Sequence, residues 1–317
     1  MFTINLIALL ISIPVLVWGA DVFVDNSSLL AKKLGMNELT IGLTIVALGT
    51  SAPEIFVGIS SVINKSEELA MGTVVGSNIS NIALIFGVSC IGISTLPPKT
   101  SLIQFLPFLL AAIILGFSLQ DLKVTFSESF IFIFIFIIFL FITYKFKSHE
   151  EADILNEDDD DDSISHICFY LIAGLLALVG GSHFAVINAE SIATILNVPQ
   201  LIIGLTIIAI GTSLPELAAT ISAIAKKKNA MVIGNVIGSN VMNIALVVPI
   251  IGFFSNTTLH STIYTRDYKV MIIATFLFIL VTSIYSSKYF GIKTIRLIGC
   301  GFVLGYFIYI LNISNLI

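Results

Sequence analysis

Long apolar stretches, each near the length of a bilayer crossing, recur along the chain with short polar segments between them. A helix needs about 20 predominantly apolar residues to cross the hydrocarbon core. Windows of that kind predict ten helices, at roughly 4–24, 39–62, 71–93, 102–120, 127–145, 166–188, 201–225, 231–254, 269–286 and 294–314. The fifth is apolar on every side from Ile131 to Phe141, which predicts a lipid-facing support. No positive segment precedes the first stretch, and Lys32 and Lys33 follow it, so a retained span is expected and not a cleaved signal. The fold class is therefore an all-α membrane protein. One longer polar segment, 148–165, separates a first five-helix half (1–147) from a second (166–317).

The polar residues inside the apolar windows carry a repeat. Residues 41–84 read IGLTIVALGTSAPEIFVGISSVINKSEELAMGTVVGSNISNIAL, and residues 203–246 read IGLTIIAIGTSLPELAATISAIAKKKNAMVIGNVIGSNVMNIAL. They align without a gap at an offset of 162, with 23 of 44 positions identical. Identity concentrates in GLTI, GTS-x-PE and GSN-xx-NIAL and is lost in the loop between. Packing asks only for apolar character, so repeated polar residues point to function. Five spans, an odd number, separate equivalent points, so the second copy must enter the membrane from the opposite side. Two inverted five-helix repeats are expected, with a site near the midplane where they meet.

Glu54 and Glu216 fall mid-span at equivalent positions, where a charge costs at least about 2.5–3.5 kcal/mol. Each follows a proline, Pro53 or Pro215, which deprives the carbonyl of Gly49 or Gly211 of its helical partner. The break also threatens the partners of the Thr50 and Thr212 carbonyls. Unwound backbone is tolerated at membrane depth only where it lines a cavity or is buried in protein. Ser77 and Asn81, like Ser239 and Asn243, are four residues apart and share a helix face, with Gly76 and Gly238 permitting close approach. The donors are all oxygens, which suits a hard cation. Two carboxylates with carbonyls suit Ca²⁺ better than Mg²⁺, and the grouped hydroxyl, amide and carbonyl oxygens suit Na⁺. Overlapping sites that share two carboxylates would make the two ions exclude each other.

Composition then narrows the alternatives. The chain is 57% hydrophobic and 11% charged, against about 45–50% and 25% in soluble domains. Of the twenty acids, nine lie between Lys145 and Asp162, with two of the fifteen bases. The net charge of −5 therefore belongs to one loop, and no basic nucleic-acid footprint exists. That loop reads as a solvated linker; a regulatory Ca²⁺ site is the alternative, without EF-hand spacing. With both termini outside, inside loops hold eleven basic residues and outside loops four, a positive-inside bias that makes the acidic loop cytoplasmic. Asp21, Asp25 and Glu190 are expected at headgroup or water level, His183 hydrogen-bonded in the bundle, and Arg266 and Asp267 in a loop. Cys90, Cys168 and Cys300 read as small buried hydrophobes. A channel would not need two opposed copies. The glutamates have no partnered nucleophile or histidine, so an enzyme is not expected, nor any cofactor.

GTSAPE with GSNISN, and GTSLPE with GSNVMN, resemble the paired signatures of the calcium/cation antiporter superfamily, close to its prokaryotic sodium/calcium exchangers. The resemblance covers nearly the whole chain. It implies Na⁺-driven Ca²⁺ transport by alternating access, with spans one and six sliding past the other eight. Ca²⁺ would use Glu54, Glu216 and the carbonyls of Thr50 and Thr212. Na⁺ would use Ser51, Ser77, Ser213, Ser239 and the carbonyls of Ala47 and Ala209, and Asn81 and Asn243 would close the centre. Some relatives carry aspartate at the position of Asn243, so asparagine there disfavours K⁺ co-transport. Proton-coupled relatives, which usually carry asparagine where this chain has Thr50 and Thr212, provide the alternative coupling ion. The expected setting is the plasma (inner) membrane, and the expected working unit a monomer.

Overall fold

A computed structural model describes residues 2–94, 100–145, 163–198, 211–254, 258–285 and 291–313. Nearly all of the acidic linker, the first ten residues of the expected seventh span and Ala209 lie outside them. Eight described helices are long and apolar enough to cross a membrane, and a bent pair makes nine.

Helix α1 (Phe2–Lys33) and helix α9 (Ile164–Ile195) each run 32 residues, about 48 Å at 1.5 Å per residue. Both exceed their predicted spans, since the polar residues Asp21, Asp25 and Glu190 continue the helices instead of ending them. The two pack along each other, backbone against backbone. A methyl group on Gly19 would strike the backbone of Ala177 and Leu178, one on Gly174 the backbone of Phe23, and one on Gly181 that of Leu16.

The second expected span is broken. It comprises α2 (Glu38–Ile41), a π turn (Gly42–Val46), α3 (Ala47–Thr50) and α4 (Ala52–Ile63), with a 50° bend at the break. Pro53 stands in the first turn of α4, where a missing N–H costs nothing. The third span is α5 (Glu67–Ser80), a π turn (Asn81–Phe86) and α6 (Gly87–Gly92). Then follow α7 (Leu102–Ser118), with a 3₁₀ turn to Asp121, and α8 (Phe126–Lys145). Helix α8 turns Phe130, Phe134, Ile137 and Phe141 outward, but it buries Phe132, Ile135 and Phe139, so it is lipid-facing on one side only.

In the second half, α10 (Leu214–Ala225) starts just past Ser213, again with proline in its first turn. Helix α11 (Asn229–Met242) leads through a π turn (Asn243–Val247) into α12 (Val248–Phe254). A fourth π turn (Ile263–Tyr268) opens α13 (Lys269–Tyr285), and α14 (Ile292–Ile313) follows. Arg266 and Asp267 therefore belong to a helix and not to the expected loop, because the apolar face begins at Ile263, ahead of these charges.

The core lies around α5 and α11, whose spans are 83% buried, against 22–33% for α1, α8, α9, α13 and α14. Cys90 is buried, as expected, while Cys168 is partly exposed and Cys300 lies on the exposed apolar face of α14.

Replacing Gly19 or Gly174 by alanine should cost about 1–3 kcal/mol through overpacking, seen as a lower unfolding temperature in detergent. Among the described residues Gly180 has nothing within 4 Å of an added methyl, so Gly180→Ala should leave that temperature unchanged.

Candidate functional site

The two breaks share one geometry. Ser51 (φ −86°, ψ 3°), between α3 and α4, and Ser213 (φ −99°, ψ 11°), at the start of α10, both sit in the bridge region just ahead of a proline. Glu54 and Glu216 then fall in the first turns of α4 and α10, where the helix dipole favours negative charge. Tertiary packing joins the start of α4 to the start of α10 through Ser51 and Glu216. Both glutamates are buried, at 3% and 1% exposure. Among the described residues neither has an ion-pair partner.

The other oxygen-bearing side chains of the two motifs are buried as well, Thr212 excepted. Thr50, Ser51, Ser77, Asn81, Ser213, Ser239 and Asn243 are all buried. The Ser51 hydroxyl donates to Glu216 Oε1 at 3.0 Å, tying one copy to the other. Asn81 and Asn243 each open a π turn, the local widening that often marks functional sites. The Ala47 carbonyl accepts the Ser51 N–H at 3.0 Å and keeps a second lone pair. Both carboxylate oxygens of Glu54, Oε2 of Glu216, the Ser213 hydroxyl and the side-chain amides of Asn81 and Asn243 are buried with no hydrogen-bond partner. Such groups cost about 1–3 kcal/mol each unless something satisfies them. A desolvated cation would satisfy the oxygens together, and the two carboxylates would balance a divalent charge.

One buried polar residue joins these groups without a matching residue in the first copy. Asn235 Oδ1 accepts from the Thr50 hydroxyl at 3.2 Å and from that of Ser239 at 3.4 Å, linking the two halves. Its repeat counterpart is Thr73, so a search for identical positions passes over it. The available signal was an asparagine one turn before Ser239 on the same face.

The site opens to one side. A cavity of about 450 Å³ reaches Glu54 and Ser77 past Val57, Leu69, Thr73 and Tyr309. Thr212 is exposed in it, whereas its counterpart Thr50 is buried. In the 162-residue register Val57, Leu69 and Thr73 become Ala219, Met231 and Asn235. These line a separate space whose free volume is about 0 Å³. Glycines seal it: a methyl on Gly234 or Gly238 would strike the backbone of Leu39 or Leu43. Among the described residues their counterparts Gly72 and Gly76 have nothing within 4 Å; the register partners of Leu39 and Leu43, Leu201 and Leu205, lie outside those residues. Among the described residues Gly76 thus faces the cavity and not a neighbouring helix, as its repeat position had implied.

Other polar residues lie away from the carboxylates. Asp21 accepts from the Ser222 hydroxyl at 2.5 Å, and Asp25 pairs with Lys226 at 2.8 Å and Lys228 at 3.3 Å. They tie α1 to α10 and the turn after it, and with side chains 51% and 52% exposed they keep the water contact expected of them. His183 is exposed and packs edge-on against Phe184 instead of bonding within the bundle.

Asn235→Ala should weaken cation binding by about tenfold, the cost of unpairing buried polar groups, in titration calorimetry on purified protein. Thr73→Ala, whose hydroxyl bonds only within its own helix among the described residues, should bind as the parent does.

A family model described as sodium/calcium exchanger protein matches residues 4–145 and 166–314. The chain is 34% identical over 283 residues to a putative antiporter, CaxA, of Alkalimonas amylolytica, covering 87% of this chain and 89% of the relative. It is 30% identical over 296 residues to the sodium/calcium exchanger MaX1 of Methanosarcina acetivorans, covering 80% and 84%. The solved structure of the sodium-calcium exchanger NCX_Mj soaked with Na⁺ and Sr²⁺ superposes with a TM-score of 0.82 at 29% identity, over 98% of both chains. Apolar helices, a buried oxygen site and these matches together place the chain in the sodium/calcium exchanger protein family, as a multi-pass membrane antiporter and not an enzyme.

Proposed function

We propose that the chain exchanges Ca²⁺ for Na⁺ by alternating access at the site between Glu54 and Glu216. The single observation that carries this reading is the asymmetry of two equivalent approaches, one open over about 450 Å³ and the other shut. A channel would need both open at once. Ten spans in two inverted repeats (1–147 and 166–317), joined by the cytoplasmic linker 148–165, account for that asymmetry, because exchanging the conformations of the copies exchanges which mouth is open. The matching breaks at Ser51 and Ser213 and the matching π turns at Asn81 and Asn243 support the repeat.

Ca²⁺ is held by Glu54, Glu216 and the Thr50 and Thr212 carbonyls. Na⁺ takes Ser51, Ser77, Ser213, Ser239 and the Ala47 and Ala209 carbonyls, with Asn81 and Asn243 at the centre. Glu54 and Glu216 are shared, so the ions displace one another. With the basic loops inside, the open mouth faces outward and both termini lie outside the plasma membrane. One chain forms the whole site, so the monomer is the working unit.

The closed mouth carries a latch. Asp21 and Asp25 bind Ser222, Lys226 and Lys228 there, whereas the register places His183, Ile187, Ser60, Asn64 and Ser66 at the open mouth. The charged latch therefore favours closure on one side. Breaking it with Asp25→Asn and Lys226→Gln should speed labelling of a cysteine at Ala219, in a background without native cysteines, by a thiol reagent.

Sealed vesicles with an outward Na⁺ gradient should take up ⁴⁵Ca²⁺, and Glu54→Gln or Glu216→Gln should abolish uptake. Uptake that ignores Na⁺ but follows a pH gradient would instead favour proton coupling, and single-channel currents would overturn exchange.

A further inference from the structure

The open cavity contains charged residues that the binding site does not use. Arg266 and Asp267, both in the π turn that opens α13, line it together with Glu54. Adjacent residues of a regular α-helix do not face each other. Here the Arg266 guanidinium grips the Asp267 carboxylate through Nε at 2.7 Å and a terminal nitrogen at 3.2 Å. The Tyr309 hydroxyl donates to the same carboxylate at 3.1 Å. The Asp267 side chain is only 15% exposed and that of Arg266 34%. A free guanidinium in this narrow cavity would repel any cation on its way to Glu54, and in such confines charge is focused and acts on arrival rates.

At the register-equivalent positions the other mouth carries no such pair. Continuing the register by 162 places Gln104 and Phe105 opposite Arg266 and Asp267, and both are buried in α7. That helix starts with a Ser101–Gln104 capping box and no π turn. The charge pair is thus a one-sided addition to an otherwise repeated frame.

We infer that Asp267 is the docking carboxylate for hydrated cations entering this mouth, with Arg266 as a tethered counter-charge that keeps the stop transient. An arriving cation competes with the guanidinium for the carboxylate and passes on to Glu54 and Glu216, where no tethered cation competes. The pair would then set the apparent affinity for ions from this side alone, without touching the exchange step.

The inference rests on the exchange reading, and the test separates the two. ⁴⁵Ca²⁺ transport is measured from each face, in right-side-out and inverted vesicles. Absence of transport by the unmodified protein would end the exchange reading itself. Given transport, Asp267→Asn should raise KM from the cavity face by roughly tenfold, leaving kcat and the opposite face unchanged. Arg266→Gln should lower that KM at low ionic strength, with the gain lost near 1 M salt, where screening acts over about 3 Å. The double variant restores charge balance and should return KM close to the parent's. Tyr309→Phe, which removes a hydrogen bond but no charge, should leave it unchanged. An unaltered KM in Asp267→Asn, equal changes from both faces, or a double variant as impaired as Asp267→Asn would each overturn the inference.

Discussion

Two carboxylates buried side by side in an apolar bundle, without a basic partner among the described residues, are the constraint on which the rest of the structure depends. Desolvating a charge costs several kcal/mol even after relaxation. The chain offsets part of this locally by starting a new helix just ahead of each glutamate, so that each lies over a helix N-terminus. Proline makes the restart possible, because the first turn is the one place in a helix where its missing N–H is not felt. What remains is a cluster of buried oxygens short of partners. A cation placed among them would supply the missing partners.

Sharing those carboxylates between copies requires the copies to cross closely, and glycine governs how closely. Gly234 and Gly238 admit the backbone of Leu39–Leu43, while Gly72 and Gly76 meet nothing within 4 Å among the described residues. Interiors are close-packed and repack between discrete arrangements, so small residues at both positions of the repeat suit a frame whose elements change how closely they cross. Helices α1 and α9, joined along small residues and buried on only a minor part of their surface, form a layer separate from the central α5 and α11.

Much of this was legible beforehand. Apolar windows located the helices, because bilayer thickness sets their length. The doubled GTS-x-PE and GSN motifs located the breaks and the buried oxygens, because backbone geometry and desolvation act on residue types wherever they occur. Helix ends were less legible. Asp21, Asp25, Arg266 and Asp267 were expected outside the helices or at their margins, yet each lies on a helix with partners of its own. A window average penalises charge without knowing whether a partner will neutralise it.

The sequence by itself determined an all-helical membrane chain with two copies of an oxygen-rich motif on either side of a polar linker, since periodicity, proline and charge cost are local properties. Only the tertiary structure decided which copy seals its approach and which stands open. It also decided that Ser51 reaches Glu216, that Asn235 backs the site, and that Arg266 and Asp267 face the cavity. The motifs of the two copies are nearly the same, so they hold no record of which one is closed. That choice depends on contacts between segments far apart along the chain.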